Sequence, residues 1–185
     1  TYLAFNVTED RLHATLDTLK TLDGCDGCNV TMPLKRKAAE LVDELSPVAQ
    51  ITGSVNVISF EDGKAKGFNT DGSGLIQALA FHRTSVKDAT ITVLGTGGAA
   101  SAIITAAALE GAQRIFVAYH SDEGKASAHE LSDRIAEHAS AEIDLVPISD
   151  VPQMTKRLAE SSILINATDV GMGTPDDELA HIDES

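Results

Sequence analysis

An α/β fold in two lobes is what this sequence predicts, and three observations carry the prediction. Short β-branched and aliphatic runs alternate with helical periodicities along nearly all of the 185 residues. A glycine-rich turn joins an apolar run to a small-residue helix at residues 94–100. A polar, irregular stretch at residues 82–88 divides the chain into an N-terminal part, 1–85, and a C-terminal part, 86–185. Repeated β-α-β units imply a parallel sheet covered by helices on both faces.

Residues 2–7 form a short apolar run suited to a buried strand. Thr8, Glu9 and Asp10 put a capping-type residue and two acids ahead of a helix over residues 11–22. Asp23-Gly24 and Asp26-Gly27 mark turns, residues 28–31 read as a strand, and residues 35–45 carry helical spacing with Ala38, Ala39, Leu41, Val42 and Leu45 on the apolar side. A β run at 55–60 turns at Glu61-Asp62-Gly63 and returns over 64–68 as a hairpin. A helix follows at 72–81. Beyond the boundary, strands are predicted at 90–94, 115–119, 143–148 and 163–166, with helices at 99–109, 124–138 and 151–160 between them. Residues 181–185 read as a loop.

The composition narrows the function. Lys and Arg number 14 against 28 Asp and Glu, a net charge of −14 with no basic block. Such a surface repels phosphate backbones, so no nucleic-acid partner is expected. No apolar run is long enough to span a bilayer, so no membrane partner is expected either. Cys25 and Cys28 form a Cys-x-x-Cys pair that leads into a strand, not a helix, and one such pair cannot complete a tetrahedral zinc site. They read as small residues in a turn, and no metal is expected. The six histidines show no ligand spacing and read as surface residues. A reduced, cytoplasmic setting follows as the default.

Gly95-Thr96-Gly97-Gly98-Ala99-Ala100 matches G-x-G-x-x-A between a predicted strand and a predicted helix. The first glycine makes the sharp turn, the second lets a pyrophosphate approach the backbone, and the small sixth residue lets helix and strand pack closely. Together with the β-α units that follow, this makes residues 86–185 a Rossmann-like, doubly wound dinucleotide-binding domain, with Gly95, Thr96, Gly97, Gly98 and Ala99 at the cofactor. The next strand ends in Tyr119-His120-Ser121-Asp122-Glu123, without an arginine to hold a 2′-phosphate. That leans towards NAD, with Asp122 as acceptor of a ribose hydroxyl; Asp122 serves equally well as a helix N-cap.

The N-terminal part is more specific. Asn29-Val30-Thr31-Met32-Pro33-Leu34-Lys35, Ser54-Val55-Asn56 and Asn69-Thr70-Asp71-Gly72 resemble, in order and spacing, the signature blocks of the shikimate/quinate dehydrogenase family, and Asn166-Ala167-Thr168-Asp169-Val170-Gly171-Met172 resembles its later block. The resemblance runs over essentially the whole chain. It implies a reversible, NAD- or NADP-dependent reduction of 3-dehydroshikimate to shikimate, with Lys35 and Asp71 as catalytic residues. It implies Thr31, Asn56 and Asp71 as holders of substrate hydroxyls and Thr168 and Met172 near the cofactor. The partner is then a small-molecule substrate, and the protein a monomer or homodimer. The family's carboxylate-gripping serine pair would precede Thr1, and its tyrosine, glycine and glutamine elements would follow Ser185. The chain is therefore expected to be cut short at both ends, and to bind dinucleotide better than shikimate.

The residues alone leave alternatives open. Lys35 lies beside Arg36 and Lys37 and fits a surface helix; Asp71 fits an Asp-Gly turn; Thr31 fits an ordinary strand position. Asn56, in an apolar β run, carries an amide that needs partners.

Overall fold

A computed structural model describes residues 2–170. The expectations for Thr1, Gly171, Met172 and the loop at 181–185 lie outside the described residues. Two four-stranded sheets make up the fold.

In the first half, a 3-10 turn at Glu9–Arg11 runs into helix α1, Leu12–Lys20. Strand β1, Gly27–Asn29, precedes helix α2, Lys35–Leu41. Strand β2, Glu44–Leu45, helix α3, Pro47–Thr52, and the hairpin β3, Val57–Glu61, and β4, Lys64–Phe68, complete it, and helix α4, Asp71–Phe81, leads out. The sheet order is β1-β3-β4-β2; the first two pairings are antiparallel and β4–β2 is parallel. Its core is Leu12, Leu16, Val30, Ala38, Ala49, Val55, Ile58 and Ala65.

Three local outcomes differ from the sequence reading, each for a tertiary reason. The helix expected over 35–45 stops at Leu41. Val42 is extended (φ −81°, ψ 152°), and Asp43 exchanges two bonds with Ala65, N–H to carbonyl at 2.9 Å and carboxylate from N–H at 2.7 Å. Pairing with β4 thus overrides local helix spacing. The chain then starts α3, unforeseen, at Ser46-Pro47, where Ser46 Oγ accepts from Ala49 N at 3.4 Å and proline takes the first turn. Residues 2–7 form no strand: Tyr2, Leu3 and Phe5 are exposed, and a strand needs a partner for its N–H and C=O groups, which no described residue supplies here.

The second half is a fully parallel sheet of order β7-β6-β5-β8: β5 Thr90–Leu94, β6 Arg114–Tyr119, β7 Glu142–Pro147 and β8 Ile163–Asn166. Helices α5, Gly98–Leu109, α6, Asp122–Ala136, and α7, Val151–Glu160, connect them. Strands β5 and β6, covered on both faces, are dense in β-branched and apolar residues, which is why their bounds were legible. The chain winds one way from β5 to β7, then crosses back through α7 to place β8 on the other side of β5. The carboxyl ends of β5 and β8 are therefore a topological switch point, where open α/β sheets bind ligands.

The two halves touch through helices. Contacts join α3 and α4 to α5, and Ile51, Leu75, Ile76 and Leu79 pack into the core of the parallel sheet. The polar stretch between α4 and β5 is pinned: Val86 is 2% exposed, and Arg83 and Asp88 adopt φ of 62° and 59°.

Buried Gly67 on β4 sits where a Cβ would lie 2.6 Å from Val55 Cγ2 and 3.0 Å from Val42 Cγ2. Gly67→Ala is expected to overpack this core and lower stability by about 1–3 kcal/mol in urea melts, with the m-value unchanged.

Candidate functional site

Strand β4 delivers Asn69, Thr70 and Asp71 to one point, and a network of hydrogen bonds fixes them there. Asn69 is 5% exposed; its amide nitrogen donates to Ser54 O at 3.2 Å and to Thr52 Oγ1 at 3.4 Å, and its oxygen accepts from Asp71 N at 3.2 Å. Asn56, just before β3, accepts from Thr70 N at 2.9 Å and donates its amide N–H groups to Thr70 Oγ1 at 3.0 Å and Asp71 Oδ1 at 2.6 Å. The second Asp71 oxygen, Oδ2, accepts from Lys35 Nζ at 2.7 Å.

Lys35 opens α2, and its carbonyl accepts from Val55 N at 2.9 Å, so its backbone is tied to the residue preceding Asn56. The ion pair is part-buried, with side-chain exposures of 24% for Lys35 and 33% for Asp71. Both groups thus remain reachable while their geometry is set from below. Lys37, two residues on, is committed elsewhere, to Glu40 at 2.7 Å. Thr31 is exposed between β1 and α2, its carbonyl accepting from Leu34 N at 2.9 Å; among the described residues no hydrogen bond joins its side chain to Lys35, Asn56 or Asp71.

The glycine loop follows β5. Gly95 has φ 105°, a left-handed conformation that favours glycine, and a Cβ there would lie 3.1 Å from Ala167 O and 3.2 Å from Thr168 Cγ2. Gly97 caps α5, and a Cβ on Gly97 or Gly98 would meet nothing within 4 Å. The space beside Gly97 and Gly98, at the positive end of α5, is therefore open. Ala100, completely buried, supplies the close helix–strand packing, while Ala99 faces outward. Thr96 lies against α6: a Cβ on Gly124 would come within 2.6 Å of Thr96 Oγ1. Across the switch point, Asn166 Oδ1 accepts from Thr168 N at 3.0 Å and Thr168 Oγ1 at 2.7 Å, which fixes Thr168 beside Gly95.

At the end of β6 the helix cap is Ser121, not Asp122: Ser121 Oγ accepts from Gly124 N at 3.1 Å. Asp122 opens α6, exposed, with Glu123 beside it. The sequence reading offered Asp122 as the N-cap; the cap falls one residue earlier because Ser121 is the extended residue (φ −141°). Five histidines within the described residues are exposed, and no cluster among the described residues could hold a metal ion. No helix of the described residues is long and apolar enough to cross a membrane. A cavity of about 190 Å³ between Thr90, Gln113, Arg114 and Glu142 lies at the amino ends of the strands, opposite the glycine loop.

The structure thus brings Lys35, Asp71 and Asn56 into one hydrogen-bonded cluster and Gly95, Thr96, Gly97, Gly98, Ala99 and Thr168 into another, with Thr31 joined to neither and Asp122 beside the second. Asn69, Thr70 and Gly72 were missed as individual positions. The signal for Asn69 was an amide next to a strand end, which burial obliges to find partners.

Comparison with known proteins follows the same division. Residues 1–58 match the family model described as shikimate dehydrogenase substrate binding domain. The quinate/shikimate dehydrogenase of Escherichia coli (strain SMS-3-5 / SECEC) is 37% identical over 182 residues, 98% of this chain and 63% of that protein. The shikimate dehydrogenase (NADP(+)) of Lactococcus lactis subsp. cremoris (strain MG1363) is 37% identical over 171 residues, 92% of this chain and 59% of that protein. The shikimate 5-dehydrogenase of Listeria monocytogenes, solved in complex with shikimate and NAD, superposes with a TM-score of 0.92 at 34% identity, covering 97% of this chain and 62% of that one.

Over nearly its whole length the chain is similar to quinate/shikimate and shikimate dehydrogenases.

It spans about 60% of the length of the relatives it matches. The two-sheet α/β fold, with a Rossmann-like parallel half, is shared with solved shikimate dehydrogenases.

Beside the site, Cys28 on β1 is half-buried, and burial, with Cys25 close by, pushes its thiol up to about 11. The thiolate is the nucleophile, so burial keeps Cys28 largely unreactive near neutral pH. Iodoacetamide should therefore modify Cys28 far more slowly in the folded protein than in urea, with the rate climbing as pH rises towards 11, read by peptide mass spectrometry.

Proposed function

We propose that this chain carries the catalytic centre of a dehydrogenase that interconverts 3-dehydroshikimate and shikimate with a nicotinamide dinucleotide. Residues 1–85 form the substrate and catalytic domain, and residues 86–185 the dinucleotide-binding domain. The observation that carries the reading is the Lys35–Asp71 pair, with Asn56 on the other carboxylate oxygen. A protein that only sensed metabolites would have no need of a buttressed acid–base pair at a reachable surface.

The residues fit the cofactor. Gly97 and Gly98 leave open space at the positive end of α5, which suits a pyrophosphate, and Thr168 and Gly95 bracket the switch point. A bound nicotinamide supplies or accepts the hydride. The chain's own part is the proton. In the reduction, charge develops on the ketone oxygen, and the Lys35 ammonium beside it donates a proton; in the oxidation, the neutral amine takes one from the hydroxyl. Asp71 fixes the amine through Oδ2 and stands ready to accept from a neighbouring substrate hydroxyl. Asn56 holds Asp71 in that orientation, and Thr31, exposed between β1 and α2, offers a further hydroxyl contact.

NAD serves at least as well as NADP in this reading. Asp122 and Glu123 are exposed at the end of β6, residues 119–123 hold no arginine, and the Lys125 ammonium sits over the Tyr119 ring at 5.9 Å. An acid against a 2′-phosphate costs on the order of 1–3 kcal/mol. Shikimate leads quinate as substrate, and the two free cysteines suit a reducing, cytoplasmic compartment.

Initial rates of the full-length protein with shikimate and quinate, each with NAD and NADP, test the assignment; no oxidation of either acid would refute it. Lys35→Ala is expected to lower kcat by about 10²–10⁴-fold with a smaller effect on substrate binding. Asp71→Asn should weaken both kcat and binding. With NAD, kcat/KM should equal or exceed that with NADP, and a strong NADP preference would contradict the part given to Asp122.

A further inference from the structure

Gly72 follows Asp71 in the first turn of α4 and is its one fully buried residue. A Cβ there would run into the carbonyl oxygen of Ala102 on α5, lie 2.6 Å from the Ala102 carbonyl carbon and 2.8 Å from Ala106 Cβ. Two of these three neighbours are helix backbone, which has no rotamer to yield. Gly74, two residues further along the same helix, has nothing within 4 Å of its Cβ position. The glycine at position 72 therefore answers to a close helix crossing, whereas that at 74 does not.

The crossing lies between the two clusters. Asp71 holds Lys35 and Asn56 on one side of Gly72. On the other, Ala102 is one helical turn beyond Gly98, where α5 leaves the glycine loop. Leu75, Ile76 and Leu79, at i+3, i+4 and i+7 from Gly72, continue the same face of α4 into the core of the parallel sheet. Gly72 lies at a close approach of the two halves along this face, and it is adjacent in sequence to the acid of the pair.

We propose that Gly72 is a positioning residue that sets the separation between the Lys35–Asp71 pair and the dinucleotide loop. This rests on the proposed dehydrogenase reading, since it concerns the distance across which proton and hydride must reach one carbonyl. A methyl group at position 72 forces α4 away from α5 by about an ångström, because close-packed backbone does not compress. Each half keeps its own ligand contacts. The loop still binds dinucleotide and the pair still forms, but the two act on points no longer in register, and displacement on this scale costs about 100-fold in rate.

The test is Gly72→Ala in the full-length protein, beside Gly74→Ala and Lys35→Ala. The expected result for Gly72→Ala is a kcat lower by about 100-fold, with the NAD dissociation constant and the KM for shikimate each within about threefold of wild type. The kinetic isotope effect with shikimate deuterated at the oxidised carbinol carbon should rise, since misaligned hydride transfer becomes rate-limiting. Gly74→Ala should keep kcat within about twofold. If Gly72→Ala instead lowers Tm but leaves kcat and the isotope effect at wild-type values, Gly72 only packs and the inference is overturned. If Gly72→Ala does not fold, Ala106→Val, which crowds the same crossing from α5, decides by the same criteria. Lys35→Ala separates the two levels: unchanged kcat in that variant sinks the dehydrogenase reading itself, whereas a large loss there with a silent Gly72→Ala sinks only the role given to Gly72.

Discussion

The carboxylate of Asp71 is the group on which the N-terminal half converges. One oxygen takes the Lys35 ammonium and the other the Asn56 amide, while the Asp71 backbone N–H is held by Asn69. An exposed ion pair adds little to stability, because water already solvates both charges and side-chain freedom is lost. Here the geometry of the pair is set from around it: by a buried asparagine tied to the end of α3, by a second asparagine before β3, and by the Val55 N–H bonded to the Lys35 carbonyl. That is the arrangement expected of groups held for chemistry, with rotamers fixed by a supporting layer.

The parallel half obeys a different constraint. Its proposed ligand position follows from topology: the reversal of winding at β5 opens a crevice at the carboxyl ends of β5 and β8, and the loop after β5 turns within it. Gly95 makes the turn at φ 105°, and Gly124 makes room for Thr96. The two halves are coupled through α4, which begins at Asp71 and packs along α5.

Much of this was legible before any coordinates. In the parallel sheet, local propensity and burial agree, so β5, α7 and β8 fall where periodicity puts them, and the glycine loop announces its own turn. The first half was read less well because long-range pairing decides it. Val42 to Leu45 has helix spacing but joins β4, and residues 2–7 have strand composition but no partner. The motif blocks brought Lys35, Asn56 and Asp71 forward, yet their mutual contact spans 36 residues and belongs to the tertiary fold. Gly72 was visible as a letter; that a helix backbone lies where its side chain would be was not.

The central claim is that Lys35 and Asp71 act as one unit, and a double-mutant cycle on kcat measures this directly. Lys35→Ala, Asp71→Ala and the double variant would be compared in the full-length protein with shikimate and NAD. Groups that work as a unit lose nearly everything when either is removed, so the double variant should fall no further than the slower single variant, to within about threefold. Losses that multiply, with the double variant slower by the product of the two single effects, would show that the residues act independently and would contradict the account.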